Sequence, residues 1–183
     1  MRLDPQGLHS KLRPLKLAGD IKLDANDAGQ QIIVDLHTTS LRGYRLRLDA
    51  LRREQRIELR EIRVAAGNGR LNANGSLHLD NPLPFQVSGQ LHDFNPADFG
   101  EFPAARVNAE FSSAGQLSEP QARVEFSLGH SEFRKQALAG HGTLRVSDRR
   151  LWDADVALKL ARNTLNVRGA LGASNDRLDV QID

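Results

Sequence analysis

The chain has no cysteine among its 183 residues. Disulfide staples, thiolate metal sites and a cysteine nucleophile are therefore excluded, while the redox compartment stays open, because a fold without cysteine suits oxidising and reducing surroundings alike. Long apolar runs are missing too: no stretch reaches the roughly 18 consecutive apolar residues of a membrane-spanning helix. The opening Met1-Arg2-Leu3-Asp4-Pro5 lacks the apolar centre of a signal peptide, so an exported protein is expected to have lost its leader from this stretch. Aromatic residues are scarce, with seven Phe, one Trp and one Tyr. Charge of one sign is scarce as well: 25 Lys and Arg face 23 Asp and Glu, and the formal +2 is too small to imply a polyanion partner. The one locally basic segment runs from Arg42 to Arg63, where Asp49, Glu54, Glu58 and Glu61 are interspersed and Tyr44 is the lone aromatic. Nucleic-acid surfaces interleave such charge with stacking groups, so this segment reads as a solvated face and no nucleic-acid partner is expected.

Reactive constellations are also lacking. His9, His37, His78, His92, His130 and His141 stand singly, and His78-x-Asp80 and His92-Asp93 are the nearest approach to ligand pairs. Two potential ligands without a third or fourth do not make a metal site. No Gly-x-Ser-x-Gly elbow or phosphate-binding loop occurs. Asp153 and Asp155 share the polar side of an alternating run, as solvated strand residues do. No catalytic residue, metal or cofactor is expected.

What the chain does have is period-two alternation from end to end, the mark of half-buried strands. Leu15, Leu17, Gly19, Ile21 and Leu23 take one side, and the pattern recurs at Ile32, Val34, Leu36; at Tyr44, Leu46, Leu48; at Ile57, Leu59 and then Ile62, Val64; and at Leu71 to Leu79. It continues through Phe85 to Leu91, Val107 to Leu117, Val124 to Leu128, Leu138 to Val146, Trp152 to Leu160, Leu165 to Leu171 and Leu178 to Ile182, about twelve strands in all. Turn residues close the runs at Asn26-Asp27-Ala28-Gly29, Gly67-Asn68-Gly69, Asn81-Pro82-Leu83-Pro84, Ser118-Glu119-Pro120, Ser147-Asp148-Arg149-Arg150 and Asn175-Asp176-Arg177. All seven prolines lie outside the runs, as a sheet requires. Connections this short make neighbouring strands antiparallel, giving a meander. Over 46–62 the spacing of Leu48, Leu51, Glu54, Glu58 and Ile62 also permits a short amphipathic helix in place of two strands. The stretch 94–103 breaks the rhythm: Asn95 can cap a helical turn with Pro96 at its first position and Gly100 ending it, forming a lid or plug.

Superposed on the alternation is a recurring glycine. Gly89, Gly115, Gly142 and Gly169 are each followed two places on by leucine and return every 26 or 27 residues, with Gly75 half a period upstream. Such a period marks stacked units. These five glycines share the parity of the apolar residues, so they point inward, where a missing side chain lets a sheet bend or another surface approach. Stacked along one margin, they would fold the meander into an all-β, elongated, open hydrophobic groove on the order of 55 Å long. Its wall would comprise Leu71, Leu77, Phe85, Val87, Leu91, Val107, Phe111, Leu117, Val124, Phe126, Leu128, Leu144, Val146, Trp152, Val156, Leu158, Leu165, Val167 and Leu171. The competing reading is a closed sandwich or barrel whose tight spots the glycines fill, a structural module.

The Gly-x-Leu strands, the Phe94-Asn95-Pro96-Ala97 break after Val87-x-Gly89-x-Leu91, the Trp152-x-Ala154-x-Val156 strand and the ending Gly169-Ala170-Leu171-Gly172 with Asp176-Arg177-Leu178 together resemble the β-repeat region of the AsmA-like family. Within it, the translocation and assembly module subunits of the TamB type are the nearest pattern, and the resemblance covers nearly the whole chain. It implies a taco-like β groove in the periplasm, with residues 1–183 a single repetitive piece of a longer protein whose inner-membrane anchor and C-terminal segment lie elsewhere. It implies that phospholipid or other acyl chains pass between inner and outer membranes, that a TamA-like outer-membrane barrel is a partner, and that outer-membrane protein and autotransporter assembly is supported. The family is not enzymatic. A chaperone-like groove that binds unfolded β-strands of outer-membrane clients remains the alternative from another class.

Overall fold

The computed structural model describes residues 17–27, 29–38, 43–118, 120–147, 150–171 and 177–183, with only the backbone at 150–152, 171 and 178. Expectations placed on 1–16, Ala28, Arg42, Glu119, Asp148, Arg149 and 172–176 lie outside the described residues, as do those on the side chains of Trp152 and Leu171.

Alternation becomes twelve strands: β1 (Leu17–Asn26), β2 (Gly29–Thr38), β3 (Arg45–Arg53), β4 (Arg56–Ala66), β5 (Gly69–His78), β6 (Pro84–Phe94), β7 (Ala105–Gln116), β8 (Gln121–Phe133), β9 (Gln136–Ser147), β10 (Arg150–Leu160), β11 (Asn163–Leu171) and β12 (Arg177–Ile182). They lie in sequence order in one sheet, every neighbouring pair antiparallel. The sheet is not closed: β1 and β12 are its two edges. This removes the closed sandwich or barrel as a reading. The residues that could have formed a helix over 46–62 form β3 and β4, joined at Glu54-Gln55, with Glu54 at φ 47°. Tight two-residue connections recur where the backbone tolerates positive φ, as at Arg134 and Lys135 between β8 and β9.

Parity slips in the sequence become β-bulges. Ile57 and Leu59 share one parity and Ile62 and Val64 the other, and in β4 Arg60 and Glu61 together oppose the single residue between Ala73 and Gly75 of β5. The extra residue returns Ile62 to the face of Leu59. A second bulge at His92-Asp93 of β6 faces Asn108, and a third at Gly129-His130 of β8 faces Ala139 of β9. Asn108 of β7 serves both: its Oδ1 accepts from the Asp93 N–H at 2.9 Å and its Nδ2 donates to the His130 carbonyl at 2.6 Å. Ser131, buried beside it, accepts from the Asn108 N–H at 2.8 Å and donates to the Asn108 carbonyl at 3.0 Å.

The one helical element, α1 (Pro96–Phe99), follows β6 as its sequence signals require. Asn95 Oδ1 accepts from Ala97 N–H and from Ala105 N–H, both at 3.2 Å, so one side chain caps the turn and anchors the start of β7. Phe99 stacks on Phe94 with ring centres 4.9 Å apart and meets Tyr44 edge-on at 5.8 Å, while the Tyr44 hydroxyl donates to the Asp98 carbonyl. At the adjoining β4–β5 hairpin Ala66 is 2% exposed and Gly69 is buried, where an added Cβ would lie 3.0 Å from Phe94 Cα.

Candidate functional site

In an antiparallel ladder, residues directly opposite one another point to the same face, so register alone defines continuous rows of side chains. One row runs Ile21, Val34, Leu48, Ile62, Ala73, Gly89, Phe111, Phe126, Gly142, Val156, Val167, Val180. On one side of it lies Leu23, Ile32, Ala50, Leu59, Gly75, Val87, Ser113, Val124, Leu144, Ala154, Gly169, the last with the backbone of Leu178 opposite it. On the other lies Gly19, Leu36, Leu46, Val64, Leu71, Leu91, Ala109, Leu128, Gly140, Leu158, Leu165, Ile182. Ser113 is the only polar residue in these three rows. Three apolar stripes therefore cross all twelve strands, with Ser113 as their single polar position.

Nearly all of the expected wall residues fall on this face. Val87, Val124 and Leu144 share one row, Phe111, Phe126, Val156 and Val167 the central one, and Leu71, Leu91, Leu128, Leu158 and Leu165 the third. A shorter fourth row holds Leu77, Phe85, Gly115, Ala122 and Val146. Val107 opposes Phe94 near the rim. Leu117 lies past the end of β7, 50% exposed, where its N–H donates to the Leu83 carbonyl. At the bulge of β10 it is Leu151, not Trp152, that opposes Val146. The wall residues from Leu71 to Val107 and most of those beyond are half-buried, and among the described residues no large side chain is fully buried. A second packed layer would bury them; a single layer leaves one face of each open.

The same apolar rows extend through β1 to β4, which the expected wall omits although Ile32, Val34, Leu46, Leu48, Leu59, Ile62 and Val64 alternate just as clearly. The aromatic cluster of Tyr44, Phe94 and Phe99 was also missed as a unit, since no local spacing joins Tyr44 to a residue 55 positions later.

The recurring glycines do not line one margin. Gly75 and Gly169 lie on the Val87 row, Gly89 and Gly142 on the central row, and Gly115 on the row of Phe85, so the seam is stepped. In the central row their purpose is visible. A Cβ added to Gly89 would lie 2.7 Å from Phe111 Cζ, and one added to Gly142 would lie 2.9 Å from the Phe126 ring. Each ring lies against the glycine of the neighbouring strand, an aromatic–glycine pairing, and at Gly89 the Asn72 carbonyl oxygen, 2.5 Å from an added Cβ, also leaves no room.

The opposite face is polar. Arg47 spans Asp35 at 3.4 Å and Glu61 at 2.9 Å, Arg63 reaches Glu61 at 2.5 Å, and Arg168 meets Asp155 at 3.1 Å. Such exposed pairs contribute little stability but keep the face wet. Glu132, by hydrogen bond and then by charge, with Asp93 beside it, raises the Arg106 guanidinium above its ordinary range. Because a twisted sheet is saddle-shaped, the polar face too has a concavity, about 1210 Å³ lined in part by Arg45, Arg63, Arg70, Asn72, Gln90 and Glu110. Among the described residues no three His, Asp or Glu side chains converge as a metal site.

An open, single-layered antiparallel sheet with one predominantly apolar face defines a class, the repetitive β-groove proteins, whose working surface is an area rather than a pocket. The family model described as TamB, N-terminal domain, matches residues 9–183, and the chain belongs to that family. It is a family of cell-envelope transport and assembly modules, not a known family of enzymes. No curated protein and no solved structure matches the chain. No helix among the described residues is long and apolar enough to cross a membrane.

Proposed function

We propose that this segment is a length of periplasmic hydrophobic groove along which phospholipid acyl chains pass between the two membranes of a cell envelope, supporting outer-membrane protein assembly beside a TamA-like barrel. The observation that carries this reading is the set of three apolar rows running through β1 to β12, with Ser113 their single polar position and no second layer over them among the described residues. An acyl chain leaving a bilayer for water costs about 0.8 kcal/mol per CH₂, a cost that a continuous apolar face removes while an open side leaves the head group in water. The residues act together by area, and Phe111, Phe126 and Val156 sit at the middle of the path.

The test is native mass spectrometry with lipid extraction on the protein purified from a Gram-negative host. Wild type is expected to carry phospholipid, and folded Phe126→Arg and Val156→Arg to have lost it, because a charge placed against acyl chains costs about 2–4 kcal/mol. Unchanged lipid occupancy in both folded variants would overturn the reading.

A second reading rests on the edges. Ile21 and Leu23 of β1 are 54% and 72% exposed, and Ile182 of β12 is 72% exposed. Open apolar edges of this kind accept an added strand, so a client β-strand is the alternative occupant. It predicts protection of a client peptide by lipid-free protein.

A further inference from the structure

Arg45, Arg60 and Arg70 line the polar concavity and have no hydrogen-bond or ionic partner among the described residues. Their neighbours Arg47 and Arg63 are neutralised by Asp35 and Glu61. Register shows what separates the two sets. Arg45 of β3 and Arg70 of β5 both oppose Ala65 of β4, so two guanidinium groups flank one methyl, their strands about 9.6 Å apart. His37 opposes Arg45 and His92 opposes Arg70, which extends the row to five strands without a carboxylate. Of the acids around the concavity, Glu61 pairs with Arg47 and Arg63, Glu110 accepts from Gln90 Nε2 at 3.4 Å, and Asp93 pairs with His92 at 3.3 Å and with Arg106 at 3.6 Å, while the Asp98 carboxylate lies beside Gly67 at the hairpin end.

We propose that this row is a binding site for a phosphate group, held over Ala65 between Arg45 and Arg70. Two guanidinium groups on alternate strands, with no carboxylate in their own row, repel one another, and an anion between them reverses the sign of that interaction. Phosphate fits better than carboxylate. A phosphate group is tetrahedral, so its charged oxygens point in different directions and can meet forks approaching from opposite sides, whereas a planar carboxylate presents both oxygens in one plane on one side. Position matters equally: Ala65 and Arg70 adjoin the Ala66–Gly69 hairpin end, the lip at which the polar face turns into the apolar one. On the apolar side this rim carries α1, so a phosphodiester head group whose chains lie on that face would reach the row past the Tyr44–Phe94–Phe99 cluster. That source rests on the lipid reading above; the site itself does not, because free phosphate has the same chemistry.

The experiment follows backbone amide signals of the isotope-labelled protein during titration with inorganic phosphate, with dihexanoylphosphatidylglycerol, and with dihexanoylglycerol as the uncharged analogue. Both phosphate compounds are expected to shift Ala65 and its neighbours saturably, and the uncharged one to leave them still. Arg45→Gln with Arg70→Gln is expected to weaken this binding at least about tenfold, since two charge-assisted forks are lost. Arg123→Gln, whose arginine already pairs with Glu125 at 2.7 Å, is expected to leave it intact. If the double variant fails to fold, Arg70→Lys, which keeps the charge and loses the fork, is expected to weaken binding several-fold. No saturable shift with either phosphate compound, or equal binding by the folded double variant, would overturn the site. Shifts of Phe126 and Val156 by dihexanoylglycerol without any phosphate effect would uphold the lipid path and reject the site; phosphate shifts without those would do the reverse. Inorganic phosphate binding with no gain for the lipid makes free phosphate the ligand.

Discussion

Glycine positions that look alike in sequence differ sharply in what surrounds them. At Gly115 an added methyl would run into the Gln121 carbonyl oxygen, and Ala122 Cα would lie 2.9 Å away, all of it backbone. At Gly142 the obstacles are Phe126 and Val156 Cγ2 at 2.8–2.9 Å, side chains that can turn aside. At Gly43 nothing lies within 4 Å. Chemical denaturation of the three alanine variants is therefore expected to rank them: Gly115→Ala loses about 3 kcal/mol, Gly142→Ala about 1 kcal/mol, and Gly43→Ala nothing or a slight gain. Equal losses would mean that the ring-over-glycine contact is not what keeps Gly142 bare. Asn108 offers a second test at the same scale. Its amide satisfies the Asp93 N–H and the His130 carbonyl in two different bulges, and no apolar residue can do either. Asn108→Leu is expected to cost about 2–4 kcal/mol, and Asn108→Asp less, because a carboxylate still accepts from Asp93 N–H. Which glycines meet backbone and which meet rings depends on register, and so was not legible from their common Gly-x-Leu setting.

Strands, by contrast, were legible nearly one for one. Alternation gives a strand's faces directly, and the short turn-rich connections leave only the meander. Even the bulge in β4 was visible as the slip between Leu59 and Ile62, and the capping of α1 by Asn95 with Pro96 behind it was readable from local chemistry alone. Its docking was not, since Tyr44 comes from the end of a distant hairpin. That docking predicts an ordered response: Tyr44→Phe removes only the hydroxyl that donates to the Asp98 carbonyl and is expected to cost about 1 kcal/mol. Phe99→Ala removes both ring contacts and is expected to cost about 3 kcal/mol. In amide exchange, Phe99→Ala is expected to loosen residues 94–105 and Tyr44 while leaving β8 to β11 as in wild type. Loss of protection throughout the sheet would show that α1 nucleates the whole array and is more than a plug at its rim.

Because each strand pairs only with its sequence neighbours, the molecule is quasi-one-dimensional: its length grows with strand number and its thickness does not. A compact chain of this length has a radius of gyration of about 16 Å. Twelve strands spaced about 4.8 Å apart extend over roughly 55 Å along the stacking direction, and a sheet of that extent has a radius of gyration near 20 Å even before its twist is considered. Curling lowers that value and closure would bring it back to the compact one, so small-angle scattering discriminates among shapes made from the same strands. The expected result is a radius clearly above the compact value with a distance distribution skewed to long separations, unchanged by Phe126→Arg because that side chain is half-buried on the open face. Collapse of the wild type to about 16 Å would place a second layer over the apolar rows and remove the surface on which an acyl chain could travel. Expansion of the variant would mean instead that Phe126 holds the sheet's curvature, and its loss of lipid could then no longer be attributed to charge in the path.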